Sequence, residues 1–212
     1  PTDTKKEKTL ADFMLPPATR TVLAIRPERK CCGRGRRAFS PASPEQPMPL
    51  DPAFLEDCPY GPGGLLLDEV LKVDVEESLV LVRMPTTGDL PLTREQRNHP
   101  VLHPPHVSGG LMIHMTGMAG FAHAYYVLGL RHADGWIGYG ARINSARFYS
   151  LATPGEPIVI ECKATQTRRG AASVLARYAF KFHQGDTLVY SGDQTAMWLD
   201  ATKAKSASIP PT

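Results

Sequence analysis

His103, His106 and His114 bracket a glycine pair in the run HPPHVSGGLMIHMTGMAGF, His103 to Phe121. An imidazole titrates near pH 6.5, so each of these rings can take or release a proton close to neutrality. Gly109 and Gly110 stand where the chain enters a long apolar segment. A helix opening there leaves its first backbone N–H groups without partners inside the helix, and its dipole favours negative charge. Without a Cβ, such a tip also allows a ligand to come close. Proton transfer beside a turn that stabilises an oxyanion is the chemistry this stretch could perform. The same residues also suit a tight helix start followed by a core histidine.

The prolines bias His103 and His106 to extended backbone. Side chains three apart in a polyproline conformation point roughly the same way, toward a pocket or toward water. His106 is favoured slightly over His103 because it lies nearer Gly109, and His114 follows the glycines by one turn. His123 and His132 read as core and helix-end residues and His183 as a turn residue, none with a role. Of the four cysteines, Cys31 and Cys32 could join His103 and His106 around zinc, but the spacing fits no standard zinc module and no metal is expected.

These residues must be positioned by a chain of 212 residues, 42% hydrophobic, with a formal net charge of +3, enough for one sizeable core. Residues 1–50 are Pro-rich and carry the basic cluster Arg26 to Arg37; they read as an arm in which the short TRTVLAI segment could add a strand. A solvated tail is favoured there over a nucleic-acid or acidic-carrier contact. Residues 51–200 form the folded domain and 201–212 a polar tail. A charged N-terminus without an apolar signal core and the sparse cysteines point to a reduced, cytoplasmic protein.

Within the domain, Gly64 to Met84 reads as two strands divided by an acidic turn at Glu76-Glu77. The segment from Gly109 to Leu130 is too long for a strand and apolar nearly all round. Such a helix either spans a membrane or is wrapped by protein; its histidines and glycines favour a buried central helix. About four antiparallel strands follow. In VLARYAFKF, Val174, Ala176, Tyr178, Phe180 and Phe182 share one face, with Arg177 and Lys181 on the other. RRG and QGD supply the turns. The fold class is α+β: one helix gripped by a curved antiparallel sheet.

Three segments resemble the hotdog-fold superfamily, and within it the β-hydroxyacyl-(acyl-carrier-protein) dehydratase family. They are YGPGGLLLDEVLKVD (Tyr60 to Asp74), similar to that family's opening strand, SGGLMIHMTGMAGF (Ser108 to Phe121), similar to the start of its central helix, and ARINSARFYSLATPGEPIVIE (Ala141 to Glu161), similar to its Ala-Arg-Phe…Pro-Gly-Asp strand pair. The resemblance implies a homodimer or dimer of dimers with sheets joined edge to edge. It implies an acyl thioester substrate on coenzyme A or on the phosphopantetheine arm of an acyl carrier protein, no other cofactor, and a place in fatty acid or polyketide metabolism.

The implied reaction is dehydration of a 3-hydroxyacyl thioester, which needs a base for the α proton, an acid for the leaving hydroxyl and donors for the thioester oxygen. His106 or His103 would be the base, Gly109 and Gly110 the donors, and Arg147 a contact to a phosphorylated arm. Aligning Gly109 to the family's glycine puts His114 where the family carries Asp or Glu. No acidic residue lies between Glu95 and Asp134. The family spacing would place the base at Pro100, which His99, His103 and His106 straddle. Two further readings stand beside the lyase: a hotdog thioesterase, since HVSGGLM resembles the His-Gly-Gly helix start of one thioesterase group with Ser108 in place of its histidine, and a non-catalytic acyl-thioester-binding homologue. Asp68 matches a family acid expected to pin the loop or the helix start.

Overall fold

The computed structural model describes residues 48–204, all within the second of the two units into which the chain divides, Ala42–Thr212. TRTVLAI, Cys31, Cys32, the basic cluster and residues 205–212 lie outside the described residues.

The strands run β1 (Met48–Pro49), β2 (Glu69–Asp74), β3 (Leu79–Met84), β4 (Trp136–Phe148), β5 (Ile158–Arg169), β6 (Ser173–Gln184) and β7 (Thr187–Asp200). They form one antiparallel sheet in the order β1-β2-β3-β5-β6-β7-β4. The chain leaves β3, crosses the sheet as a 15-residue helix, Gly109–His123, and returns at the far edge as β4. This is the expected α+β hotdog arrangement. The end of the Pro-rich arm also belongs to it, since Met48 pairs with Val70. Pro49 is tolerated because β1 is an edge strand.

The acidic turn between β2 and β3 falls at Val75–Ser78, and Gly185 turns β6 into β7 with φ +54°, a conformation glycine adopts without Cβ strain. In β6, Val174, Ala176, Tyr178, Phe180 and Phe182 are all buried while Leu175, Arg177 and Lys181 are exposed. Burial alternates because only the concave face meets the helix.

The stretch around Tyr60 departs from the expected opening strand. Pro52–Asp57 and Pro62–Leu65 are the short helices α1 and α2, and extended backbone begins at Glu69. Pro62 sits at the first turn of α2, where a missing N–H costs nothing, and Leu66 ends it in the left-handed region at φ 54°. Asp68 then grips Arg83 of β3 through two hydrogen bonds of 3.0 and 2.8 Å, so it pins strand to strand rather than the helix start.

The central helix, α3, persists despite Gly109, Gly110, Gly117 and Gly120 because most of its stability comes from packing on the sheet. A π-helical turn, Ala124–Leu128, extends it, and Gly129 closes it at φ +66°. Short helix α4, Ala201–Ala204, follows β7. The helix is the expected buried central one, and among the described residues one side of it is left open. Leu111, Met112, Met115, Met118, Ala119 and Ala122 are buried, whereas Gly110 and Gly117 are exposed and Ile113, His114 and Phe121 only half-buried. At helical spacing these five residues make one continuous open strip. Among the described residues no helix is long and apolar enough to cross a membrane.

The helix's far end is fastened by His123. Its Nε2 lies 2.9 Å from the Ser78 carbonyl oxygen and 3.2 Å from the Ser78 hydroxyl, and the ring is fully buried. The expected core role of His123 is what the structure gives.

Candidate active-site groove

A groove of about 580 Å³ runs between the open strip of α3 and the concave face of β6, β7 and β4. The helix supplies Ile113, His114, Gly117 and Phe121; β6 supplies Tyr178 and Phe180; β7 supplies Gln194, Ala196 and Trp198; β4 supplies Gly138 to Ile143. Volume and aromatic lining suit a ligand of small-molecule size. Among the described residues the lining includes Arg142 and no Asp or Glu.

His114 is the titratable base in this lining. Its Nε2 lies 2.7 Å from the carbonyl oxygen of Gly64. A carbonyl only accepts, so Nε2 carries the hydrogen, and in the neutral ring Nδ1 is the acceptor. Tyr60 stands edge-on to the imidazole at 5.4 Å between centroids, and its ring also lies over Gly64. The glycine-rich turn around α2 thus clasps His114 with one carbonyl and one aromatic edge. Two residues along, the Thr116 hydroxyl sits 2.6 Å from the Ile113 carbonyl oxygen and 2.9 Å from Gln194 Oε1, tying helix to β7.

Gly138 has a steric reason: a Cβ there would lie 2.3 Å from the Trp198 ring, so glycine lets the indole form the groove wall. The Trp198 ring also meets Phe121 edge-on at 5.3 Å.

His103 and His106 lie outside this lining, in the loop before α3. Their rings are 4.9 Å apart, as the polyproline spacing implied. His106 is half-buried, with its backbone held on both sides by Gln96 and its Nδ1 2.9 Å from the Pro104 carbonyl oxygen. Its Nδ1 therefore carries the hydrogen and Nε2 is the acceptor. His103 is exposed and shares a backbone bridge with His99. His99 Nδ1 accepts from Val101 N and Leu102 N, so this loop turns on its own side chain.

Of the glycine pair, Gly109 lies under Phe148, whose ring atom Cε1 would be 3.0 Å from an added Cβ. Gly110 stays exposed, on the same helix face as His114 and one turn before it. Ser108 is the N-cap but makes no side-chain capping bond, so the first-turn N–H groups gain no partner from it. Arg147 sits on exposed β4 opposite Ser191 and away from the groove; the arginine in the lining is Arg142 of the same ARINSARF run. Among the described residues no cluster of three or more metal-ligating side chains exists.

Sequence reasoning passed over Tyr60, Thr116, Arg142, Gln194 and Trp198. A signal existed for two of them: Gln194 and Trp198 share alternate positions of one strand, and Gln194 pairs directly with Tyr178.

Beside the groove, β4 is, among the described residues, the last strand of the sheet and pairs only with β7. From Gly140 to Phe148 every residue is exposed, and Tyr139, Ile143, Phe148, Tyr149 and Leu151 each show half or more of their surface. A long, apolar, unpaired edge is a template for another strand.

No family model and no curated protein matches the chain. Among solved structures it is similar to a thioesterase from Haemophilus influenzae, at 14% identity over 69% of this chain and 88% of that one, with a TM-score of 0.46. It is also similar to a mutant thioesterase from Pseudomonas aeruginosa, at 15% identity over 66% and 86% of the two chains and a TM-score of 0.44. A thioesterase-superfamily member from Thermus thermophilus aligns at 19% identity over 64% and 92%, with a TM-score of 0.43.

Proposed function

We propose that this protein hydrolyses acyl thioesters, with the acyl group in the groove beside α3 and the thiol carried by coenzyme A or a phosphopantetheine arm. The observation that carries this reading is His114, held through Nε2 by the Gly64 carbonyl, as the base of an aromatic groove whose described lining residues include no carboxylate. Hydrolysis needs one base to take a proton from water and donors for the carbonyl oxygen. His114 Nδ1 takes that proton as the water oxygen bonds to the carbonyl carbon. The tetrahedral oxyanion then collapses, the C–S bond breaks, and the imidazolium returns its proton to the departing thiolate. The Gly110 N–H, on the same helix face, is the candidate oxyanion donor. Dehydration asks for a second proton-transfer group, and the described residues of the groove lining offer no carboxylate for it.

The open strip of α3 and the unpaired edge of β4 would both be covered by a second copy, with β4 pairing to β4 across a two-fold axis and closing the groove. Sedimentation of the full chain should give twice the chain mass at micromolar concentration; a monomer that still turns over would remove this part of the reading.

The deciding assay incubates the protein with saturated and 3-hydroxyacyl-CoA substrates and reads thiol release and enoyl absorbance in parallel. Thiol release with no enoyl product is expected. Enoyl product restores the lyase reading, and ligand binding with neither product leaves a non-catalytic acyl-thioester binder.

Gly117 offers an independent check. A Cβ there meets nothing within 4 Å, and the residue lies in the helix interior facing the groove. Gly117→Ala should raise stability by about 0.5–1 kcal/mol. Gly117→Phe, with its ring projecting into the groove, should fold and lose turnover. Full activity in the Phe variant would place the substrate elsewhere.

A further inference from the structure

The groove beside α3 has one stopped end. The indole of Trp198 meets the Phe121 ring edge-on at 5.3 Å between centroids, and both side chains line the groove. The same two side chains also line a second hollow of about 10 Å³, bounded by Phe54, Cys58, Tyr125 and Trp136, with room for one water at most. Phe121 and Trp198 therefore form a partition between the two spaces. Packing behind it is tight. Trp198 belongs to a buried cluster with Ala124, Leu130 and Val174, against which Phe121, Leu128 and Trp136 pack. His114 stands seven residues before Phe121 on the open strip of the same helix, a separation of about 10 Å at about 1.5 Å per residue.

We propose that Phe121 and Trp198 stop the acyl chain, so that the protein selects straight-chain thioesters of up to about eight carbons. The inference rests on the thioester reading of the groove and names its substrate class. A stopped end fixes which way the substrate lies. Only the acyl chain tapers to a methyl group; the carrier of the thiol is far larger than a hollow that holds one water. The acyl tip therefore points at the indole, and the thiol leaves toward the start of α3. With the reacting carbonyl beside His114, about 10 Å remains for the chain. An extended polypeptide advances about 3.3–3.6 Å over three bonds, hence about 1.2 Å per bond, so about eight carbons reach the partition. Each methylene buried on the way strengthens binding about fourfold, until the next one meets the two rings. Between His114 and the partition the lining suits such a chain, with Phe180 and Ala196 apolar and Gly117 leaving width.

The test uses butanoyl-, hexanoyl-, octanoyl-, decanoyl- and dodecanoyl-CoA. Calorimetric binding is measured on the full chain carrying His114→Ala, so that turnover does not consume the ligand, and thiol release is measured on the unaltered chain. Affinity should rise about fourfold per added carbon as far as octanoyl-CoA and gain nothing beyond it. Phe121→Ala, made in the same background, removes the half-buried side of the partition and opens the groove toward the hollow behind. It should raise the ratio of dodecanoyl to octanoyl affinity at least about tenfold. A variant that only loosened the fold would weaken every chain length together and leave that ratio unmoved. Phe121→Leu, which keeps most of the apolar packing, should shift the ratio the same way by less, and it decides the matter if the alanine variant does not fold. Affinity that keeps climbing through dodecanoyl-CoA in the starting protein, binding of none of the series, or a ratio unmoved by the Phe121 variants overturns the inference. Thiol release that is absent while the length limit stands overturns the hydrolase reading alone.

Discussion

His114→Ala should lower kcat for thioester hydrolysis by 10²- to 10⁴-fold, the usual contribution of a positioned general base. The fold should survive, because the ring is half-buried and its one close polar contact is a single bond to the Gly64 carbonyl. His114→Gln separates two roles. A glutamine amide can still donate to that carbonyl and hold the α2 turn, but it cannot take a proton from water. The Gln variant should therefore keep wild-type stability and substrate affinity while sharing most of the alanine variant's loss in kcat. His106→Ala and His103→Ala should cost far less, since both rings lie outside the groove lining. A His106→Ala variant that loses activity while His114→Gln retains it would reverse the assignment and return the base to the loop before the helix.

Acid should destabilise the protein through His123. Burial pushes this imidazole down to about 4, only partly opposed by its bond to the Ser78 carbonyl, and among the described residues nothing stands ready to accept from a protonated Nδ1. In the unfolded chain the same group titrates near 6.5. Between those two values the unfolded state binds more protons than the folded one, so stability is intact above about pH 6.5 and is lost as pH falls toward 4. The full difference corresponds to roughly 3 kcal/mol. Its structural consequence is specific, because His123 fastens α3 to the β2–β3 turn. Urea unfolding at several pH values should show that loss in the unaltered chain. His123→Gln, which can still donate to Ser78, should flatten the curve across the same window even if it starts lower at neutral pH. An equal slope in both proteins would assign the acid sensitivity to other groups.

The strands and the central helix were legible in the residues because each announces itself locally. Alternation from Val174 to Phe182 reports one covered face, and the apolar run after Gly109 is too long for a strand. The acidic turn between β2 and β3 and the glycine turn at Gly185 were readable for the same reason. The segment around Tyr60 was not. Its Gly-Pro-Gly-Gly stretch compacts into a four-residue helix whose purpose, clasping His114, involves a partner 50 residues away.

The site divides along the same line. The residues by themselves determined that a helix begins at a glycine pair, that it carries a histidine one turn later, and that no acid stands between Glu95 and Asp134. They could not say which histidine faces the groove. That depends on the rotation of α3 on the sheet, which is set by the packing of Met112, Met115 and Met118 and exposes the strip through Gly110, His114 and Gly117. They could not bring Tyr178, Gln194 and Trp198 to one wall either, since strand register is decided by cross-strand pairing and a slip of one residue would turn each side chain to the opposite face. Periodicity along a chain tells which residues are covered; only the packed sheet and helix decide what covers them.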